Sequence, residues 1–368
     1  MKETRAIAAL RALCGMPLNA EVLIPAVLEA LHGVVPSYRN LFDWTDEHGQ
    51  LLRYFIEGPI DAQIAQLYFD QFHNRREVEA MPRFDTLRGH PPGVRGADEL
   101  RHAGFYGSAL YNEIWRPQGF HTRLEGVLRG QDGRLIGSLV LYRQPGDPHF
   151  TREERQRLAA VLPVLAAGLQ ACAPYITNEP VVRAPDAPEF LLMSPQGAVC
   201  HATAGAHRLL LMAEGGASRA SLSKPLDVLA GRLIPLLLAR LRQRGHEGLA
   251  PSAALAPSIT HETPCGQFVA SGYLLQPLQP GSAPLVQITL RRLEPHRVAL
   301  ERALHRLPLT PGQIAVCRGL YQGQPKHHIA QSLGVATSTV VDHARKIYQA
   351  LDLRSVTELR AALDERIG

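Results

Sequence analysis

Three sequence patterns are missing from this chain of 368 residues, and their absence excludes whole classes of protein. Lysine never follows glycine, so the Gly-x-x-x-x-Gly-Lys loop that cradles nucleotide phosphates is absent and ATP-driven regulators are excluded. The His-Glu-x-x-His and Gly-x-Ser-x-Gly patterns of metalloproteases and hydrolases are absent as well. The sequence therefore predicts no catalytic residues, no metal site and no cofactor.

Long apolar runs are also lacking, since the longest are interrupted by Pro, Gly or Arg. We therefore expect no membrane span and, from the start MKETRAIAAL, no signal peptide. Cysteine is sparse, and its odd number and wide spacing indicate free thiols in a reducing cytosol, with a redox switch as the alternative. The five are Cys14, Cys172, Cys200, Cys265 and Cys317.

Charge is distributed unevenly along the chain. Residues 291–368 hold 12 Lys and Arg against 7 Asp and Glu, whereas residues 1–290 hold 27 of each sign. The whole formal net charge of +5 therefore falls in the C-terminal fifth. A localised basic excess is typical of a module that binds phosphate groups.

The same C-terminal segment predicts four short helices. Thr310-Pro311-Gly312-Gln313 is a capping box with Pro at the first helical position, and Ser355 to Glu358 repeats the pattern. Gly334 follows an apolar stripe where a helix C-terminus tolerates positive φ, and only a short link precedes the next helix. The periodic spacing of the apolar residues alone is as compatible with a helical bundle that exposes a basic face as with a module that binds phosphate groups.

The residues from Leu309 onward resemble the LuxR-type helix-turn-helix, the output domain of many bacterial transcription regulators. The resemblance rests on Leu309-Thr310-Pro311, Gly323, Ile329-Ala330, Leu333-Gly334-Val335, Thr339-Val340, His343, Ile347-Tyr348, Leu351, Leu353, Arg354-Ser355 and Glu358-Leu359. It implies that one helix enters the DNA major groove. The DNA-binding positions that it implies are Lys326, Thr337, Ser338, Val341, Asp342, His343, Arg345 and Lys346.

Several positions depart from the family pattern. Gln313 replaces a common acidic residue, His327-His328 replaces a common Lys-Glu pair, and Ala336 stands where Ser usually caps the third helix. Thr337 is the alternative cap. Asp342 would repel phosphate, so we expect it to accept a hydrogen bond from cytosine N4 or to orient Arg345. These departures bear on which operator is read.

Residues 1–172 predict an α+β domain that resembles the GAF-like sensory fold. Its predicted elements are helices at 4–14, 19–33, 61–75 and 151–172, and two hairpins, 38–56 and 124–142. Aromatic residues between the hairpins either fill the core or line a small-molecule cavity. The ligand candidates are Trp44, Tyr68, Tyr106, Tyr111, Glu113, Trp115, Arg116 and His121.

A Pro-rich linker at 173–188 leads to a second α+β domain at 189–293, which resembles a PAS-like domain. Two strands, helices and then three strands are predicted there, and one helix is expected to run unbroken over 225–244. A connecting helix at 294–308 precedes the helix-turn-helix domain at 309–368. The apolar helices 151–172 and 225–244 are predicted dimer faces.

The fold class expected is thus an α+β sensory region, GAF-like and then PAS-like with antiparallel sheets, followed by an all-α four-helix LuxR-type domain. The expected function is a cytoplasmic one-component transcription regulator without enzymatic activity. Its expected partners are double-stranded operator DNA, a second copy of the chain, a small-molecule effector and, for an activator, RNA polymerase. The alternative is an interaction protein that acts on another regulator or on RNA polymerase without reading DNA.

Overall fold

The computed structural model describes residues 2–95, 104–174, 179–222, 224–229, 231, 233–246, 256–279 and 283–367. The first unit contains α1 (Lys2–Cys14), α2 (Ala20–Leu31), β1 (Arg39–Thr45), β2 (Leu51–Ile56), α3 (Ala62–Leu67), β3 (Gly93–Arg95), β4 (Thr122–Arg129), β5 (Leu135–Arg143) and α4 (Arg152–Gln170). Short 3-10 or π turns lie at Tyr68–Phe72, Arg76–Glu79, Phe84–Gly89, Phe105–Gly107, Leu110–Trp115 and Arg116–Gln118. The helix expected at 61–75 is therefore α-helical only over α3.

The five strands form one antiparallel sheet in the order β2-β1-β5-β4-β3. Side chains alternate between its two faces, as the pleat requires. Phe42, Leu124 and Leu141 are fully buried in a cluster with side chains of α1, α2 and α4. Gly126 lies under α4, where an added Cβ would come within 2.6 Å of Leu162. The opposite face carries polar as well as apolar residues.

The second unit contains β6 (Val181–Arg183), β7 (Glu189–Met193), β8 (Val199–Ala202), α5 (Ala206–Ala213), α6 (Arg219–Leu222), α7 (Leu226–Leu229), α8 (Ile234–His246), β9 (Ser258–Thr263), β10 (Gly266–Leu275) and β11 (Leu285–Pro295). Its main path, β8-β7-β11-β10-β9, repeats the strand order of the first sheet. Strand β6 pairs with the end of β11, so part of the segment predicted as a linker belongs to the sheet.

The helix expected over 225–244 is broken, and that prediction was wrong. Helices α7 and α8 are separated by residues that include Gly231 in a turn. Glycine loses more backbone entropy than other residues in a helix, which favours a turn at Gly231. Leu229, Leu233 and Leu237 on the two sides of the break belong to the same buried cluster.

The two α+β units share one hydrophobic core. Trp115 and Phe72 of the first unit belong to the same buried cluster as Leu209 and Leu237 of the second. A backbone hydrogen bond of 2.9 Å from Tyr54 N–H to the Ala217 carbonyl joins them at the surface of β2. Leu162 and Leu165 of α4 pack inside the first unit and Leu237 of α8 packs in the shared core, whereas Leu236 of α8 is exposed. The dimer faces expected on these two helices stay predictions.

The third unit is helical: α9 (His296–Arg306), α10 (Pro311–Tyr321), α11 (Lys326–Leu333), α12 (Thr337–Leu351) and α13 (Val356–Ile367). Thr310 and Gln313 form the predicted capping box, and Gly334 ends α11 with a φ of +65°. Leu304 of α9 is buried among Ile314, Ile347 and Leu359 in the core of this unit. Among the described helices, none combines the length and apolarity needed to cross a bilayer.

We predict that Leu304→Ala lowers the free energy of unfolding by about 2–5 kcal/mol, because it leaves a cavity at a fully buried position. Urea denaturation followed by circular dichroism measures the change. The matched control is Leu278→Ala, since Leu278 is fully exposed and should alter stability by less than about 0.5 kcal/mol. Equal effects of the two substitutions would contradict the packing of α9 in this core.

Candidate nucleic-acid interface and buried cavity

Helix α12 has one buried face and one open face. Val340, Ala344 and Ile347 are buried against α10 and α11, because they recur at helical spacing. The opposite side of α12 carries Val341, with 47% of its surface exposed, and Arg345, with 67% of its side chain exposed. An apolar side chain left open on such a face can contact the methyl group of thymine.

The structure places most of the predicted DNA-binding residues on this open surface. Lys326 begins α11 and is exposed. The exposed members on α12 are Thr337, Ser338, Val341, Arg345 and Lys346. Together with Asp342 they form what we call the α12 face, a strip at helical spacing that runs from Thr337 to Lys346. The strip begins at the helix N-terminus, where unpaired N–H groups give a partial positive charge.

Asp342 is held between the two cations of the α12 face. Its carboxylate accepts a hydrogen bond from Arg345 Nη2 at 2.8 Å and lies 2.7 Å from Lys346 Nζ. Hydrogen bonds from Lys346 and Arg345 lower the pKa of Asp342 below its ordinary value, so it is ionised at neutral pH. The structure thus favours Asp342 as the residue that orients Arg345.

Two details of the predicted interface are corrected. His343 packs toward the start of α10, where an added Cβ at Gly312 would lie 3.7 Å from its Nε2, and it is only partly exposed. Its Nδ1 is buried and makes no hydrogen bond to a described residue. Because i and i+2 positions do not share a helix face, His343 cannot point the same way as Val341 and Arg345. Thr337 does not cap α12, since Ala336 occupies the N-cap without a side-chain bond.

The charge argument also needs correction. Of the 12 basic residues in 291–368, five precede residue 309 and only seven lie in 309–368, against five acidic ones. Arg292 pairs with Asp186, Arg297 with Glu179, and Arg302 and Arg306 with Glu29. Much of the basic excess therefore holds the connecting helix to the upstream units.

The first sheet carries a cavity of about 130 Å³ on the face turned away from α1, α2 and α4. Aromatic and aliphatic side chains form most of its wall, among them Tyr54, Tyr68, Phe69, Trp115, Phe120 and Tyr142. Ligand pockets typically combine such an apolar wall with a few placed polar groups. The volume is below the several hundred Å³ of a drug-sized site, so the cavity as it stands suits a small molecule.

The polar end of the cavity is a buried set of charged side chains. Asp43 projects from β1 beside Ser138, whose hydroxyl donates to Asp43 Oδ2 at 3.4 Å. Glu125 of β4 lies 3.3 Å from Arg123 and 3.8 Å from Arg95. Burial, reinforced by the nearby Glu125 charge, raises the pKa of Asp43 well above its ordinary value. Asp43 can therefore act as a hydrogen-bond donor.

Comparison with known families decides the nature of the C-terminal unit. Residues 307–362 match the family described as bacterial regulatory proteins, luxR family, also called GerE. This segment is a LuxR-type helix-turn-helix domain. The match of this domain to the family implies DNA-binding transcription regulation. No curated protein matches the chain.

Three solved structures resemble parts of the chain. The GAF domain of the cyanobacteriochrome TePixJ is 14% identical, covers 43% of this chain and 91% of its own, and gives a TM-score of 0.30. The E. coli DhaR(N)-DhaL complex is 14% identical over 78% of this chain and 87% of its own, with a TM-score of 0.22. The sensor region of a sensor histidine kinase is 15% identical over 73% and 90%, with a TM-score of 0.16.

The structure places the eight predicted ligand-binding residues in different surroundings. Of these eight, only Tyr68 and Trp115 line the cavity. Tyr106, Tyr111 and His121 form a separate cluster, in which the Tyr111 hydroxyl lies 2.8 Å from His121 Nδ1 and Tyr106 stacks on the imidazole. The other three predictions also lie outside the cavity: Glu113 and Arg116 are exposed, and Trp44 lies on the opposite sheet face against Phe42 and Arg53.

Sequence reasoning missed the charged residues of the cavity, although a signal was available. Asp43, Arg123 and Glu125 occupy strand positions whose side chains line the cavity. Apolar Leu41 and Val127 lie two residues from Asp43 and Glu125 on the same face. Such inward charges are rarely tolerated unless they are paired, so their positions in predicted strands indicate a polar site. The prediction from aromatic content alone included residues that the structure places outside the cavity, such as Trp44, Tyr106 and Tyr111.

We predict that Asp43→Asn flattens the pH dependence of stability. A raised pKa in the folded state means that Asp43 favours folding below its unfolded pKa and that this contribution is lost as pH rises through the folded pKa. The wild type should therefore lose stability relative to Asp43→Asn as the pH rises above the unfolded pKa of about 4. Thermal unfolding over a series of rising pH values measures the change, and parallel pH profiles would contradict a neutral buried Asp43.

Proposed function

We propose that the chain is a cytoplasmic, one-component bacterial transcription regulator that binds operator DNA through the α12 face. The observation that carries the proposal is the open strip of Val341, Asp342 and Arg345 on the LuxR-type domain. Arg345, oriented by Asp342, would read a guanine edge or bind a phosphate oxygen, and Val341 would contact a thymine methyl. Thr337, Ser338 and Lys326 would bind the backbone.

The input side of the proposal is a small-molecule effector in the cavity of the first sheet. Residues 1–172 would form a GAF-like sensory domain and residues 189–293 a PAS-like one, joined through their shared core. A neutral Asp43 and the Arg123–Glu125 pair offer both hydrogen-bond donors and acceptors to a polar effector. Binding would shift the LuxR-type domain only if it favoured one arrangement of the chain over another.

A dimer completes the proposal. One α12 spans only a few base pairs, whereas two copies related by twofold symmetry read two half-sites and gain the specificity that an operator requires. RNA polymerase would be a further partner if the protein activates transcription. The competing function is an interaction domain that does not read DNA. The DNA affinity of the Arg345→Ala variant and the salt dependence of binding distinguish the two functions.

We predict that Arg345→Ala weakens DNA binding by roughly tenfold or more, because it removes a groove contact and leaves Asp342 facing phosphate with one cation fewer. Fluorescence anisotropy would use duplexes selected from a random library by the wild-type protein. Arg366→Ala is the charge-matched control, since Arg366 is exposed at the end of α13. Equal affinities of the two variants would overturn the assignment of the α12 face.

We further predict a steep salt dependence for the wild-type protein on the same duplexes. Neutralising about six phosphates in a dimeric complex should reduce affinity by roughly a thousandfold between about 50 mM and about 200 mM salt. The slope should be smaller for Arg345→Ala than for Arg366→Ala. An interaction protein that does not bind DNA would give no selectable duplex and no salt-dependent signal.

A further inference from the structure

A second cavity lies where the first unit meets the connecting helix, on the opposite side of the first sheet from the cavity described above. It is a cleft of about 520 Å³ between α1, α2 and α9, and we call it the α9 cleft. Its apolar wall includes Ala6 and Leu13 of α1, Ala30 of α2 and Val298 of α9. The small side chains of Ala6, Ala30 and neighbouring positions leave the space between the helices unfilled.

Arginine dominates the charged groups of the α9 cleft. Arg302 and Arg306 both reach Glu29 of α2, at 2.7 Å and 3.1 Å. Arg5 donates through Nη1 to the Leu307 carbonyl at 3.1 Å, while its Nε is buried without a hydrogen bond to a described residue. Three arginines stand against the two carboxylates of Glu29 and Glu301, so with neutral histidines the lining carries a net charge of +1.

His305 is a nearly buried polar group of the cleft. Its side chain is only 10% exposed, and its Nε2 lies 3.5 Å from Glu301 Oε2 in an ion pair. That carboxylate oxygen already accepts from Arg318 Nη2 at 2.7 Å. His305 Nδ1 is buried and makes no hydrogen bond to a described residue, so a hydrogen bond to a ligand in the cleft would stabilise it.

We propose that the α9 cleft is a second ligand site, which binds a small organic monoanion with an apolar body. The anionic group would accept hydrogen bonds from Arg5, His305 and Arg306, and would neutralise the net positive charge of the lining. The apolar body would lie along the alanines of α1 and α2. The volume falls in the range of drug-sized ligand sites, whereas the first cavity is smaller.

The position of the cleft gives the ligand a regulatory role. Helix α9 runs directly into Thr310, the cap of the first helix of the LuxR-type domain, and packs on α1, α10 and α13. An anion that competes with Glu29 for Arg306 would alter how α9 is held against α2. The binding step is independent of the proposed DNA binding, and only the regulatory step rests on it.

The test uses two probes with the same aromatic body, anilinonaphthalene sulfonate, which is a monoanion, and N-phenyl naphthylamine, which is uncharged. Both become fluorescent in apolar sites, so titration of the full chain gives their dissociation constants. We expect the anion to bind more tightly to the wild type, and Arg306→Gln to weaken it by about tenfold while leaving the neutral probe unchanged. Arg306 is largely exposed, so this variant should fold normally.

Two further variants locate the probe. Ala30→Phe fills the cleft and should abolish binding of both probes there, with circular dichroism and thermal unfolding confirming that the variant folds. Arg116→Gln is the charge-matched control, because Arg116 is exposed on the first unit away from the cleft, and it should bind like the wild type. Equal anion affinity in Arg306→Gln and Arg116→Gln, or the absence of anion binding to the wild type, overturns the proposal.

A second readout separates this inference from the proposed function. Saturating anilinonaphthalene sulfonate should change the affinity of the wild type for its selected duplexes and leave that of Ala30→Phe unchanged. If the probe binds in the cleft but DNA affinity stays constant, the regulatory step is wrong and the ligand site stands. If no duplex is bound by any variant, the proposed function fails while the fluorescence result still decides the cleft.

Discussion

The arrangement of this molecule depends on the ion network around Arg302. Its guanidinium donates to Glu294 Oε2 at 2.8 Å and to Glu29 Oε2 at 2.7 Å, so it ties the end of β11 and helix α2 to helix α9. Burial opposes the charge, but the two carboxylates raise the pKa of Arg302 above its ordinary value. Removing one partner of such a network leaves a charge without compensation, which is the costly event for a buried pair. Helix α9 is therefore a fixed element and not a free tether.

This constraint explains where the charge of the chain goes. Several of the arginines that give the C-terminal fifth its net charge form ion pairs that hold α9 in place. The LuxR-type domain therefore has only a small excess of positive over negative charge. DNA binding then depends on the placement of Arg345 and Lys346 around Asp342, more than on total charge. Helix α9 links the LuxR-type domain to α1 and α2, and α1 also contacts α10 directly.

Local patterns predicted the elements well, because the signals were local. The capping box at Thr310, the glycine at Gly334 and the two hairpins of the first unit all rest on short-range chemistry, and the structure confirms them. The break between α7 and α8, strand β6 and the shared core of the two sheets depend on long-range contacts that no window of sequence contains. The cavity was misplaced for the same reason: aromatic residues mark both core and ligand sites, and only the pairing of strands showed that Asp43 and Glu125 share one face.

Hydrogen exchange of backbone amides in Glu29→Gln tests the central claim, that the ion network fixes α9 to the sensory unit. We expect amides of α9 and of the facing turns of α2 to exchange several-fold faster than in the wild type, because the bonds from Arg302 and Arg306 to Glu29 are lost. Amides of α12, which does not contact this network, should keep their protection. Unchanged exchange in α9 would contradict the account, since it would mean that the helix is held without the network.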